Sequence, residues 1–254
     1  MMRIFLLGAV LVLAIDMSAA GQPGFELGVR AGGGMTWGFG DWQDAQLDDL
    51  TRRGNLAGAK GSAVYEFTPS WQAGAYARLT LGPWFRIGLE PRMEYLGTSF
   101  LATTDTGQVW ERYSLAVPVV LIPVSARAYI SHELGEIDFY LAPALAVLAG
   151  QATILERQAN SSSSRQIVPS IASQFLFLAA SAGIESRWWT SSGWWPAIGI
   201  SYDMAVTPVS PATSAGSAGS PGFLGAGWYP CSLNLYLSLG WAISEYRADE
   251  RRDR

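Results

Sequence analysis

The stretch WFRIGLEPRMEY, Trp84 to Tyr95, decides the fold. Arg86, Glu90, Arg92 and Glu94 fall on one face of a period-two strand, and Phe85, Ile87, Leu89, Pro91, Met93 and Tyr95 on the other. One face is charged and the other unbroken apolar, so the two must meet different surroundings.

The same alternation recurs on both sides of this segment. Upstream, FELGVRAGGGMTW sets Phe25, Leu27, Val29, Ala31, Met35 and Trp37 against Glu26, Gly28, Arg30, Gly32, Gly34 and Thr36. SWQAGAYARLTL sets Trp71, Ala73, Ala75, Ala77, Leu79 and Leu81 against Gln72, Gly74, Tyr76, Arg78 and Thr80, and Gly82-Pro83 turns the chain into the opening stretch. Downstream, RYSLAVPVVLIPVSARAYI reads as a fourth strand with a phase slip and bulge near Pro123, after which Ser125, Arg127 and Tyr129 return to the polar side. IDFYLAPALAV, FLFLAASAGIESRWW, WWPAIGISYDMAV and SLNLYLSLGWAIS complete about eight strands. Long polar links, residues 38–60, 97–108, 150–170 and 207–229, alternate with short turns, the pattern of a transmembrane β-barrel with long outer loops and short inner ones. The expectation is an all-β fold: an eight-stranded antiparallel up-and-down barrel over residues 21–246, with both ends on the inner side.

The chain has 254 residues, net charge -4 and a single lysine, Lys60, a balance that disfavours nucleic acid as a partner. MMRIFLLGAVLVLAIDMSAAGQ, with Arg3 ahead of an apolar run and Ser18 and Ala20 before Gly21, reads as a secretory signal over residues 1–20. Cys231 stands alone and can form no internal disulfide. No later segment reaches the ~18 uninterrupted apolar residues of a spanning helix, so a membrane crossing requires a closed barrel.

A soluble barrel would alternate too, with its apolar face inward. Three features oppose it: the polar faces are crowded with Gly, Ser and Ala, lysine is nearly absent, and aromatic residues gather at strand ends. Trp84, Trp188, Trp189, Trp194, Trp195 and Trp241 fall near the inner ends, and Trp37, Tyr95, Tyr113 and Tyr229 near the outer ends, as interfacial girdles do. An arginine turned to the bilayer midplane costs about 2 to 4 kcal/mol. Glu26, Arg30, Arg78, Arg86, Glu90, Arg92, Glu94, Arg127, Asp138, Glu185, Arg187 and Asp203 are therefore assigned to the lumen, where mixed signs should pair across a narrow interior.

RIGLEPRMEY, LAVPVVL around Pro118, SAGIES and LYLSLGW resemble the third, fourth, sixth and last strands of the PorT-like outer-membrane β-barrel domain family of bacteria, relatives in shape of the OmpA and OmpX barrels. The resemblance spans about Phe25 to Ile243. Ala116 stands where that family carries an acidic residue, and YRADERRDR follows the last strand, where the family's chains stop at an aromatic residue. The resemblance implies residence in the bacterial outer membrane, contact with its lipid and insertion by the barrel-assembly machinery, and no single shared activity. Residues 247–254 are set apart as a charged tail, and a monomer is expected.

Catalytic groupings are not evident. The single histidine, His132, falls in the turn SHELGE, so no site needing two histidines can form. Asp41, Asp44, Asp48 and Asp49 lack the Ca²⁺-loop spacing and read as a solvated outer loop, and GNLAGAKGS lacks a phosphate loop's ending. No cofactor and no metal are expected. The leading expectation is a non-enzymatic scaffold or surface-interaction barrel with a largely filled lumen and loops open to an extracellular ligand. The alternative is a narrow OmpW-like pore for small or hydrophobic solutes, suggested by Ala142, Ala144, Ala146 and Phe177 on the lumen side; an enzyme ranks third.

Overall fold

The computed structural model of the protein describes residues 24–56, 62–82, 84–106, 108–149, 153–158, 165–167, 176–188, 190, 193–209 and 227–243. The signal-like segment 1–20, Lys60, Trp189 and the charged tail 247–254 lie outside the described residues. Twelve strands form one antiparallel sheet: β1 (Gly24–Phe39), β2 (Ser62–Glu66), β3 (Thr68–Thr80), β4 (Phe85–Leu89), β5 (Arg92–Thr103), β6 (Val109–His132), β7 (Gly135–Leu148), β8 (Thr153–Gln158), β9 (Arg165–Ile167), β10 (Leu176–Trp188), β11 (Trp194–Ala205) and β12 (Tyr229–Ala242).

The sheet closes on itself as an eight-stave ring, in which β4 and β5 share one stave, interrupted at Glu90-Pro91. Proline has no N–H for the ladder, and at that break Glu90 N still reaches Pro123 O at 3.1 Å. Following hydrogen-bonded neighbours from Gly24 leads through Thr80, Arg86, Arg127, Tyr140, Gly183, Ser201 and Asn234 back to β1 at Gly34, ten residues farther out. This stagger tilts the staves and sets a bore that side chains can fill. The first and last strands end together, with Glu26 opposite Ala242.

The two faces match a barrel in hydrocarbon. Leu235 and Leu237 are 54% and 65% exposed on the outside, whereas Glu90 and Arg92 are 1% and 2% exposed within. Outer-end rings pair as Trp37–Phe67, Phe39–Tyr229 and Trp71–Tyr95, and inner-end rings as Trp84–Phe85 and Trp194–Trp241. Trp195 departs from the expected girdle: its ring turns inward beneath the Arg187 guanidinium, 5.6 Å from the ring centre.

Three further expectations change. The fourth strand has no phase slip at Pro123: β6 keeps one register against β4, β5 and β7 through that point, and Leu115, Val117, Val119 and Leu121 face the lumen with Ser125, Arg127 and Tyr129. The irregularity lies instead at Ala102/Thr103. The link expected over 97–108 is strand as far as Thr103, because β5 and β6 continue past the barrel rim and pair with β2 and β8. Together β2, β5, β6, β8 and β9 raise a five-stranded wall on one side of the mouth.

The third change is in the first outer segment, which holds a helix, α1 (Asp41–Leu56), where a solvated acidic loop was expected. Gly40, at φ +119°, turns the chain out of β1, and Asp41 and Asp44 then stand in the first turn, where the helix dipole favours negative charge. Gln43, Leu47 and Leu50 share one stripe at helical spacing and point into the mouth, where Leu50 is fully buried. Gln43 Nε2 donates to Thr98 Oγ1 (3.0 Å), and Tyr65 OH donates to Asp44 Oδ1 (2.7 Å). Burial, aided by that hydrogen bond, pushes the Tyr65 hydroxyl up to about 12.

Leu237→Arg, on the outer face of β12, should lower unfolding free energy in phospholipid vesicles by about 2 to 4 kcal/mol, read from denaturant titrations, while a polar change at exposed Asp48 should leave it within about 0.5 kcal/mol.

Candidate functional site

The lumen is the site that the sequence points to, and its side chains fall into three layers. The innermost is a continuous ion-pair chain. Arg86 bridges Glu136 (2.5 Å) and Asp138 (3.0 Å), and Arg127 links Asp138 (3.4 Å) to Glu90 (2.6 Å). Glu90 also takes Arg30 (3.0 Å) and Arg78 (3.3 Å), and accepts from Ser125 Oγ (2.9 Å). Arg78 then forks onto Glu185 (2.7 and 3.1 Å), and Arg187 joins Glu185 (3.1 Å) to Glu26 (2.7 and 3.1 Å). Planar guanidinium groups suit such paired contacts in a way lysine cannot, which fits a lumen without lysine.

Four tyrosines from the polar faces complete this layer. The Arg78, Arg86, Arg127 and Arg30 guanidinium carbons stand 3.8, 3.8, 4.4 and 4.9 Å from the ring centres of Tyr76, Tyr129, Tyr140 and Tyr236. Three of these rings lie on glycines of the neighbouring staves: a Cβ at Gly28 would come within 2.2 Å of Tyr76, at Gly199 within 2.4 Å of Tyr236, and at Gly183 within 2.6 Å of Tyr140. The glycines of the polar faces are thus the space into which the tyrosines fold. At the inner end, Tyr129 OH donates to Gly82 O (2.7 Å).

The middle layer is smaller and mostly uncharged. Arg92 lies beside Asp203, which also accepts from Ser181, and 3.7 Å from Glu94. Asn234 Nδ2 donates to Glu94 Oε1 (2.7 Å), with Ser232 on the same oxygen, and Gln72 Nε2 donates to Ser201 Oγ (3.1 Å). Across the two polar layers six arginines (30, 78, 86, 92, 127, 187) meet seven carboxylates (26, 90, 94, 136, 138, 185, 203), all buried.

The outer layer is apolar. Leu96, Phe100, Leu115, Val117, Val119, Leu121, Ala144, Ala146 and Phe177 pack with Trp228 and with Leu50 of α1, which closes the mouth from above. Ala142 faces the same interior.

All twelve residues assigned to the lumen from the sequence lie in the barrel interior, and each makes an ion pair there: ten belong to the inner chain or to the Arg92–Asp203 pair, Arg30 ends on Glu90, and Glu94 stands 3.7 Å from Arg92 and accepts from Asn234 and Ser232. Glu136 was missed because it was read as part of the turn SHELGE, although its period-two relation to Asp138 and Tyr140 places it on their face. Glu111, also fully buried, was missed because it falls between the link read over 97–108 and the fourth strand read from Arg112. His132 lies at the inner turn, where its Nδ1 accepts from Leu134 N (3.3 Å). Among the described residues, no group of three His, Cys, Asp or Glu side chains is placed to hold a metal.

No family model matches the chain, and no curated protein matches it. Solved structures similar to it include the outer membrane protein OprG from Pseudomonas aeruginosa (10% identity, 88% of this chain and 98% of that one, TM-score 0.41). Others are Neisserial surface protein A, NspA (9%, 84% and 95%, TM-score 0.36), and Ail, the attachment invasion locus protein of Yersinia pestis (10%, 85% and 98%, TM-score 0.36). At these values the fold stands on this chain's own strand register.

Glu90→Ala should leave Arg30 without its carboxylate, take one partner each from Arg78 and Arg127, and cost about 3 to 5 kcal/mol of stability, whereas Glu66→Ala, which frees only the half-exposed Arg112, should cost less than about 1 kcal/mol; denaturant unfolding of the refolded variants measures both.

Proposed function

We propose that the chain is a bacterial outer-membrane protein whose barrel is a closed, non-enzymatic scaffold presenting α1 and the one-sided β-wall to the outside. The observation that carries this reading is the unbroken charge chain from Glu136 to Glu26, capped by an apolar layer and by Leu50. An ion crossing in either direction would have to pass the apolar layer and displace paired guanidinium groups, so the filled bore opposes conduction. Export through a signal cleaved after Ala20, insertion by the barrel-assembly machinery, a monomeric state and kinship with the PorT-like domains belong to the same proposal. The exposed outer belt and closed ladder support residence in lipid.

The alternative, a narrow path for small apolar solutes, is favoured by one feature: the outer half of the bore is lined by Leu, Val, Ala and Phe. Movement of α1 would be required to open it.

Planar-bilayer recordings on the refolded chain should show no stable conductance steps, and proteoliposomes should take up small hydrophobic probes no faster than protein-free vesicles. Stable steps would defeat the closed-scaffold reading, and faster uptake abolished by tethering α1 to β5 would replace it with the solute path. The mass of the protein purified from outer membranes should begin at Gly21.

A further inference from the structure

The interior charges do not cancel. With the arginines protonated and the carboxylates of the two polar layers ionised, one negative charge is left over. The inner chain is balanced, so the excess belongs to the middle layer, where Glu94 and Asp203 share Arg92 as their one ion-pair partner. Arg92 Nη2 lies on Asp203 Oδ1, while its Nε approaches Glu94 Oε2 only to 3.7 Å.

The leftover capacity is visible atom by atom. Glu94 Oε2 and Asp203 Oδ2 accept no hydrogen bond, and neither does Gln72 Oε1, whose residue sits directly opposite Glu94 in the β3–β5 register. Glu94, Gln72 and Asp203 are 0%, 1% and 3% exposed, so bulk water does not compensate them. The neighbouring strands offer nothing further of positive charge. β12 supplies Ser232 and Asn234, β10 supplies Ser181, β11 adds Ser201 and β6 opposes Glu94 with Val119. Arg30 of β1 has its charge paired with Glu90 through Nη1; its Nε and Nη2, like Nε and Nη1 of Arg92, donate no hydrogen bond, so the excess of the middle layer lies in its charge count. A buried carboxylate without a counter-charge is costly, and the usual resolution is to bind one.

We propose that Glu94 and Asp203 together hold one exchangeable positive charge, a proton or a monovalent cation such as Na⁺, at an all-oxygen site completed by Gln72 Oε1. Two carboxylates and a carboxamide oxygen are hard ligands that suit either occupant, and their joint deficit is a single charge. Neutralising either carboxylate alone removes the deficit. Neutralising both leaves Arg92 without a counter-ion.

The test uses the full chain refolded in phospholipid vesicles. Infrared spectra in sodium-free buffer at neutral pH should show a protonated-carboxyl band that disappears in Glu94→Gln and equally in Asp203→Asn, but persists in the surface control Glu66→Gln. In that case the native state carries one proton more than the unfolded chain, so stability falls as pH rises. The wild-type folding constant should drop by about tenfold per pH unit relative to either single variant from the pH at which free carboxylates ionise up to the pH at which the infrared band itself is lost, and level off beyond it. If sodium is the occupant, the band is absent and equilibrium dialysis with radioactive sodium finds one ion per barrel, lost in both single variants. The double variant should be less stable than either single one. A wild-type barrel with neither the band nor bound sodium would overturn the proposal, and this reading does not depend on the variants folding.

Discussion

Burying arginine in a narrow bore is possible only because a carboxylate from a different stave meets each guanidinium group. Glu90 is the centre of that arrangement, holding Arg30 of β1, Arg78 of β3 and Arg127 of β6 at once. These contacts join residues 12 to 60 positions apart and tie together four consecutive staves, β1, β3, the β4–β5 stave and β6. Hydrocarbon outside supplies no attraction between staves, so the ion pairs and the backbone ladder hold the cylinder in register. A one-residue slip of any stave would send its charges into lipid and its leucines into the bore.

The same interior explains the unusual composition of the polar faces. Tyrosine rings lie flat on glycines of neighbouring staves and meet guanidinium groups on their other side, so Gly and Tyr are two halves of one packing unit. Serines and the single Asn234 fill what remains around Glu94 and Arg92. The bore thus grades from ionic to polar to apolar along its length, and α1 closes the apolar end with a leucine.

Above the rim the symmetry of the barrel is lost. One side rises as the β2–β5–β6–β8–β9 wall, and α1 leans on its inner face through Tyr65 and Thr98. A helix with so few apolar residues is stable there because Leu47 and Leu50 find the open end of an apolar bore. The parts that face outward are therefore built on the parts that seal the lumen, and any change in the one is felt by the other.

Alternation in the sequence was enough to assign Arg86, Glu90, Arg92 and Glu94 to the interior, since an arginine in hydrocarbon costs more than any local preference can return. Eight staves, their turns and the outward leucines of β12 follow from the same period-two reading. The reading failed where that signal is missing. LAVPVVLIPV is apolar on both faces, so its phase was ambiguous until packing of Leu115 to Leu121 against Phe177 and Leu50 resolved it. The helix was hidden for a related reason, its buried stripe being only two leucines and a glutamine in a polar segment. Which arginine meets which carboxylate was also beyond the sequence, because any of them could pair by sign alone. The stagger of the closed ring decided that, by bringing distant staves to the same height around one axis.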